Sequence, residues 1–137
     1  MRCIISEFHV VETVIKDEEV LLKSLKEMGY SPSVHRQPTN LYGYQGDKKK
    51  QKAHIIIPRS QVGSASNDVG FEKIDGKYVI HASEFDVTWR KGERVQTLNK
   101  KYGENKLKKI VSGRSDLSVF SRRENEKGQI EIVLNII

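Results

Sequence analysis

A tight turn between two strand-forming runs constrains this chain more than any other feature. Residues 68–86 read Asp-Val-Gly-Phe-Glu-Lys-Ile-Asp-Gly-Lys-Tyr-Val-Ile-His-Ala-Ser-Glu-Phe-Asp. Asp75-Gly76 lies between segments rich in Val, Ile, Tyr and Phe, and a two-residue hairpin turn needs the positive φ that Asp and Gly tolerate. Along the second strand Val79, His81, Ser83 and Phe85 fall on one side, and Tyr78, Ile80 and Ala82 on the other. An isolated hairpin is only marginally stable, so further strands or a covering helix must complete it.

The flanking sequence supplies both. The run from Cys3 to Ile15 is apolar and β-branched, and predicts one strand with a bulge where the alternation slips between Val10 and Val11. Asp17 then offers a helix N-cap, with Glu18 and Glu19 at the positive end of the dipole. Val20, Leu21, Leu22, Leu25 and Met28 mark a helical apolar face, closed by Gly29. Pro32 and Pro38 punctuate short extended pieces up to Gln45. The lysines at 48, 49, 50 and 52 read as a solvated turn into the strand Ala53–Ile57.

Residues 87–92 read as a connector, and residues 93–111 as a helix with a fault. Val95, Leu98 and Tyr102 form one stripe, whereas Leu107, Ile110 and Val111 form another, with Gly103 between them. A mid-helix glycine costs about 1 kcal/mol relative to Ala, so a kink or split near Gly103 is expected. The chain ends in Leu117–Arg122 and Gln129–Ile137. Ile130, Ile132, Leu134 and Ile136 alternate strictly, so the last strand should belong to the sheet rather than hang loose. If it lay at an edge, it would be a seam for a partner strand or a second copy.

This element order has no alternating βα repeat. It predicts an α+β fold with a single largely antiparallel sheet and two helices packed on one face. The 137 residues fit a single domain, with a flexible loop at 59–67. Hydrophobic residues make up 36% and charged residues 31%, but the apolar ones sit in periodic runs, which argues against disorder. No apolar stretch approaches the roughly 20 residues of a membrane span. The N-terminus lacks the pattern of a signal peptide, and the lone Cys3 suits a reducing cytoplasm.

Chemistry is harder to find. His9, His35, His54 and His81 show no metal-ligand spacing, although His9, His54 and His81 could meet on one face of a sheet. Cys3 reads as a small apolar filler rather than a nucleophile. Glu84 and Asp86 share a strand face at a spacing that suits acid/base work, and equally suits two solvated charges. No catalytic residue, metal or cofactor is assigned. The net charge is +6, from 24 basic and 18 acidic residues. Lys100, Lys101, Lys106, Lys108, Lys109, Arg114, Arg122 and Arg123 would form a nucleic-acid patch if the second helix lies beside the last hairpin. An ordinary basic surface accounts for the charge as well. Tyr42, Tyr44, Trp89 and Ile137 are the candidate partner surface, and the aromatic ones could stack on bases.

Across most of its length the chain resembles the family called hypothetical chloroplast reading frame thirty-five, found in plastids, cyanobacteria, other bacteria and phages. The matching residues begin with Ser6-x-Phe8, Val11, Thr13, Ile15 and Asp17 entering the Leu-rich helix. Leu25…Gly29, Gly43-Tyr44-x-Gly46 and the strand Ala53–Ile57 follow. Asp68-Val69-Gly70-Phe71 with Asp75-Gly76-x-Tyr78 matches best. Leu98-Asn99-x-x-Tyr102 and Gly128-x-Ile130-x-Ile132-x-Leu134 complete the series. Phe85-Asp86 stands where that family usually has Trp-Gly, and the loop at 59–67 is longer. The resemblance implies no catalytic residue. It implies a non-enzymatic accessory or adaptor role beside an AAA-type ATPase, since members are often encoded near one. A basic RNA-binding protein is the alternative.

Overall fold

The Asp75-Gly76 turn forms as its sequence dictates, with φ of 52° and 78° at the two positions, in a computed structural model that describes residues 2–5, 9–12, 14–63, 66–83, 86–90, 92–124, 126 and 130–136. It joins β5 (Val69–Ile74) to β6 (Lys77–His81) in antiparallel register, with Lys73 opposite Tyr78. β3 (Ser33–Tyr42) and β4 (Lys48–Ile57) complete an antiparallel sheet of order β3-β4-β5-β6. The expected lysine turn is thus the first half of β4. Alternating Lys48, Lys50 and Lys52 keep one side of that half hydrated while the chain stays extended.

The α+β class and the largely antiparallel pairing hold, but the strands do not form a single sheet. β1 (Arg2–Ile5), β2 (His9–Glu12), β7 (Leu117–Glu124) and β8 (Ile130–Ile136) make a second one, of order β2-β1-β8-β7. The N-terminal run is therefore two antiparallel strands, Arg2 facing Glu12, rather than one bulged strand. The polar pair Ser6-Glu7 divides its apolar residues. β8 pairs antiparallel with β7 and parallel with β1, so the C-terminal strand is an integral, internal strand and not an edge.

α1 (Glu18–Glu27) lies where the Asp17 cap and apolar stripe put it. The Asp17 Oδ1 accepts from the Val20 N–H at 3.2 Å, and Gly29 at φ 95° turns the chain out. α2 (Arg59–Val62) is one helical turn at the start of the 59–67 loop, and α3 (Val87–Arg90) another within the expected connector. α4 (Glu93–Ser112) runs without interruption through Gly103, so the expected split is absent. Its buried residues include Leu98, Tyr102 and Asn105, at i, i+4 and i+7. The stripe therefore continues straight, with a polar residue where a hydrophobe was sought. The Asn105 amide donates to Ser24 Oγ (3.1 Å) and to Glu27 of α1, which satisfies it inside the interface. Of the expected second stripe, Leu107 is buried on another side of the helix, Val111 is half-buried and Ile110 is 40% exposed.

Both long helices contribute to one core on one face of the β3–β6 sheet. Leu21 and Leu25 of α1, Leu98 and Tyr102 of α4, Ile55 and Ile57 of β4 and Phe71 of β5 meet there. Tyr78, Ile80 and Ala82, which the alternation places on one side of the second hairpin strand, pack against them. Trp89 is 1% exposed and sits against Tyr30 and Phe71, with ring centroids 5.7 and 6.0 Å away. Its indole N–H has no hydrogen-bond partner among the described residues. Trp89 is thus a core residue, and its place in the expected partner and stacking surface is withdrawn. The apolar payload of an indole exceeds what any exposed position would recover.

The opposite face holds a smaller cluster of Leu41, Ala53 and Ile56, and Gly70 lets them close. A Cβ at Gly70 would stand 2.6 Å from the Ala53 Cβ and 2.8 Å from Leu41 Cδ2. Asp68 fixes the same corner. Its carboxylate accepts from the Arg59 N–H (2.7 Å) and the Tyr42 N–H (2.8 Å), tying β3 and α2 to the start of β5. Asp68, Gly70 and Phe71 therefore each have a structural task. Gly70→Ala should lower stability by about 1–3 kcal/mol, the usual cost of overpacking. Thermal melting followed by circular dichroism checks this, and an unchanged midpoint would contradict the close packing.

Candidate functional site

The cations expected to form a nucleic-acid patch lie mostly on α4 and β7, and the fold surrounds them with carboxylates. The ammonium groups of Lys106 and Lys109 donate to the same Asp17 oxygen, at 3.0 and 2.8 Å. Lys109 also approaches Glu19 at 3.5 Å, and Lys108 lies 3.8 Å from Glu104. Arg122 grips Glu104 with two donors, one of them at 3.2 Å, and Lys100 pairs with Glu124. Arg114 holds Asp116, its Nε at 3.0 Å. Lys101 is half-buried on the helix, and Arg123 is exposed on β7. This surface is a belt of ion pairs joining α1, α4 and β7, rather than a bare cationic strip.

Asp17 is the centre of that belt. The Lys109 hydrogen bond is the largest influence on its carboxyl, and burial opposes it. Lys106 and the Val20 N–H add to Lys109, and the balance holds the group well below the usual carboxylate range. Glu104 is lowered chiefly by its hydrogen bond to Arg122. Lys109 is raised in turn, first by its bond to Asp17. Tyr102 completes the corner from inside the core. Its hydroxyl accepts from the backbone N–H groups of Lys16 and Asp17, each at 3.0 Å.

Among the described side chains the other candidate groups do not converge. His54 Nδ1 accepts from the Lys73 N–H at 3.1 Å, and His81 Nε2 lies 2.8 Å from Glu72 Oε1. Each imidazole thus has a local partner. His9 is in β2, Cys3 is in β1, and His35 bonds Ser33 on β3. Asp86 accepts from the Trp89 N–H and the Thr88 hydroxyl at the start of α3, which is a capping role. Glu84 and Ile137 lie outside the described residues. Among the described residues no group of three or more His, Cys, Asp or Glu is arranged to hold a metal ion. No helix among them is long and apolar enough to cross a membrane.

Two features remain on the β3–β4 hairpin. An open cleft of about 680 Å³ is lined by residues that include Leu41, Tyr44, Lys49, Gln51, Asp68, His81 and Arg90. Lys49 is held at 2.8 Å by Asp47, so its charge is neutralised locally. On the other side of the hairpin Lys48, Lys50 and Lys52 are exposed and make no ion pair among the described residues. Residues 30–60 hold six basic side chains against the single acid Asp47. This concentration was legible as an acid-poor interval with lysines at period two. Reading the lysines as a turn concealed it.

Because the Asp17 carboxyl is depressed in the folded chain, its ion pairs stabilise fully above the unfolded value of about 3.9 and lose that contribution as pH falls below it. Asp17→Asn keeps a competent N-cap and removes only the charge. The variant should melt below the parent at neutral pH, with the gap closing progressively below about pH 4. A gap that stays constant down to the acid limit would contradict an electrostatic role.

No curated protein and no solved structure matches the chain. The family model described as protein of unknown function (DUF1257) matches residues 24–133, from the middle of α1 into β8. That span contains the Asp68-Val69-Gly70-Phe71 corner, both strands of the basic hairpin and the whole of α4, and the chain belongs to this family.

Proposed function

We propose that the chain is a non-enzymatic interaction module that docks on a protein partner through the free edge of its β3–β6 sheet, as an accessory or adaptor to an AAA-type ATPase. The observation that carries this reading is the asymmetry of the two sheet edges. At β6 the Tyr78 N–H donates to the Ile15 carbonyl at 2.9 Å, so the segment before α1 covers that edge. Among the described residues no segment covers the outer edge of β3 in this way. Its ten residues are exposed or half-exposed except Leu41, and Val34 is 50% exposed in the middle of a polar run.

An uncovered edge offers unpaired N–H and C=O groups to an incoming strand, and Pro38 interrupts it enough to limit pairing with itself. Tyr42, 46% exposed at the end of the strand, extends the contact surface. The identity of the partner comes from the likeness to the chloroplast reading frame thirty-five family, whose members are often encoded beside an AAA-type ATPase.

Co-expression with an AAA-type ATPase of the kind encoded beside members of that family, followed by affinity purification and hydrogen exchange, tests the reading. The two chains should copurify, and amides of residues 33–37 should exchange more slowly in the complex. Val34→Lys should weaken retention about tenfold, roughly the 1.4 kcal/mol of one desolvated apolar contact. Failure to copurify, or protection confined to α1 and α4, would contradict it. A particle of two chains by light scattering, lost in Val34→Lys, would assign the edge to a second copy instead.

A further inference from the structure

We infer that the outer face of the β3–β4 hairpin binds the phosphate backbone of a single-stranded nucleic acid, with Lys48, Lys50 and Lys52 as the contacts and Tyr42 as a stacking surface. This site is separate from α4, where the sequence had suggested nucleic-acid contacts, and it does not depend on the docking edge proposed above. Three observations carry it.

The first is that these cations are unanswered. Lys48, Lys50 and Lys52 are exposed and have no ion pair among the described residues, whereas Lys100, Lys106, Lys108 and Lys109 each face a carboxylate. Asp47, the only acid within residues 30–60, is engaged by Lys49, which belongs to the opposite, cleft-lining side of the strand. The second is spacing. Alternate residues of a regular strand project from one side at about 6.7 Å intervals. Here the β3–β4 register shifts between the Asn40–Lys52 and Tyr42–Lys48 pairs, so the lysine row crosses a bulge. A short row of cations at roughly that spacing suits the phosphates of an extended single strand and provides no element shaped for a duplex groove.

The third is the neighbouring aromatic. Tyr42 is directly opposite Lys48 in the β3–β4 register, so the two side chains share a face, and the ring is 46% exposed. Tyr44, 52% exposed in the following turn, lines the cleft on the other side and is not part of this row. Lysines tracking a backbone beside an exposed ring are the usual elements of sequence-tolerant single-strand binding. An acidic protein segment would account for the lysines but gives the tyrosine no task.

The test uses the full chain and short fluorescein-labelled oligonucleotides, a deoxythymidine run and a mixed-sequence RNA, read by fluorescence anisotropy across a salt series. Each lost phosphate contact should reduce the salt slope by about 0.7 for a single strand. The triple variant K48E/K50E/K52E should therefore lower the slope by about 2 and weaken binding at low salt at least tenfold. The charge-matched control K23E/K26E/K77E reverses three exposed lysines elsewhere and should change affinity less than threefold. Tyr42→Ala should lose about fivefold with the slope unchanged. All the substituted side chains are largely exposed, so melting curves should show each variant folded. Equal loss in the two triple variants would overturn the inference. So would a polyglutamate competitor as effective as unlabelled oligonucleotide, which would assign the stripe to an acidic protein, or a duplex binding as tightly as the single strand.

Discussion

Two backbone N–H groups at the entrance of α1 point at one phenol in the core. The hydroxyl of Tyr102 accepts from Lys16 and Asp17, and the Asp17 side chain turns back to cap the helix while receiving Lys106 and Lys109. One turn farther along the interface Asn105 closes on Ser24 and Glu27. The apolar face of α1 would pack on α4 at many rotations and offsets if burial alone decided, because hydrophobic contact is non-directional. These polar contacts are directional, and an unsatisfied group in this interface would cost about 1–3 kcal/mol. They fix the register of α1 on α4, and with it the floor on which β4, β5, Trp89 and Tyr30 pack.

That corner also explains where the positive charge goes. The cations of α4 closest to α1 are needed to answer Asp17 and Glu19, and those closest to β7 answer Glu104 and Glu124. Most individual surface ion pairs contribute little, about 0–1 kcal/mol. Here, though, one carboxylate serves a helix cap and two lysines, and those contacts join α1 to α4. A ligand drawing those lysines away would have to replace contacts that the fold uses. The hairpin lysines carry no such obligation. The same chain thus has two basic regions of different physical meaning, one internal to the architecture and one turned outward.

How much of this was legible depended on whether the signal was local. The Asp75-Gly76 turn, the Asp17 cap and the Gly29 exit are chemistry within a few residues, and each forms as read. The alternation of Ile130, Ile132, Leu134 and Ile136 predicts a strand, and β8 is one. Partners were not legible, because nothing local shows that β8 would lie beside β1, at the far end of the chain, and so divide the strands into two sheets. The supposed fault in α4 came from two displaced apolar stripes with Gly103 between them, yet the helix is continuous and Asn105 is buried between the two stripes. Its hydrogen bonds to α1 were invisible without the fold. Trp89 sat in a segment too short to show periodicity, so its burial in a single helical turn had no sequence signal. The lysines of β4 were misread for the opposite reason: charge was taken as a mark of a turn, although their period of two was that of a strand.

The division of the basic residues into committed and outward-facing sets is the central claim, and lysine reactivity measures it directly. Limited acetylation of the native chain, with modification quantified residue by residue by mass spectrometry, compares the ammonium groups in one sample. Lys48, Lys50 and Lys52 should be modified first. Lys106 and Lys109 should lag well behind, because both ammonium groups are engaged by the Asp17 carboxylate and Lys106 is half-buried as well. In the Asp17→Asn variant the rates at Lys106 and Lys109 should rise toward those of the hairpin lysines, while the other lysines keep theirs. Equal rates across the hairpin and α4 lysines in the parent chain would contradict the account.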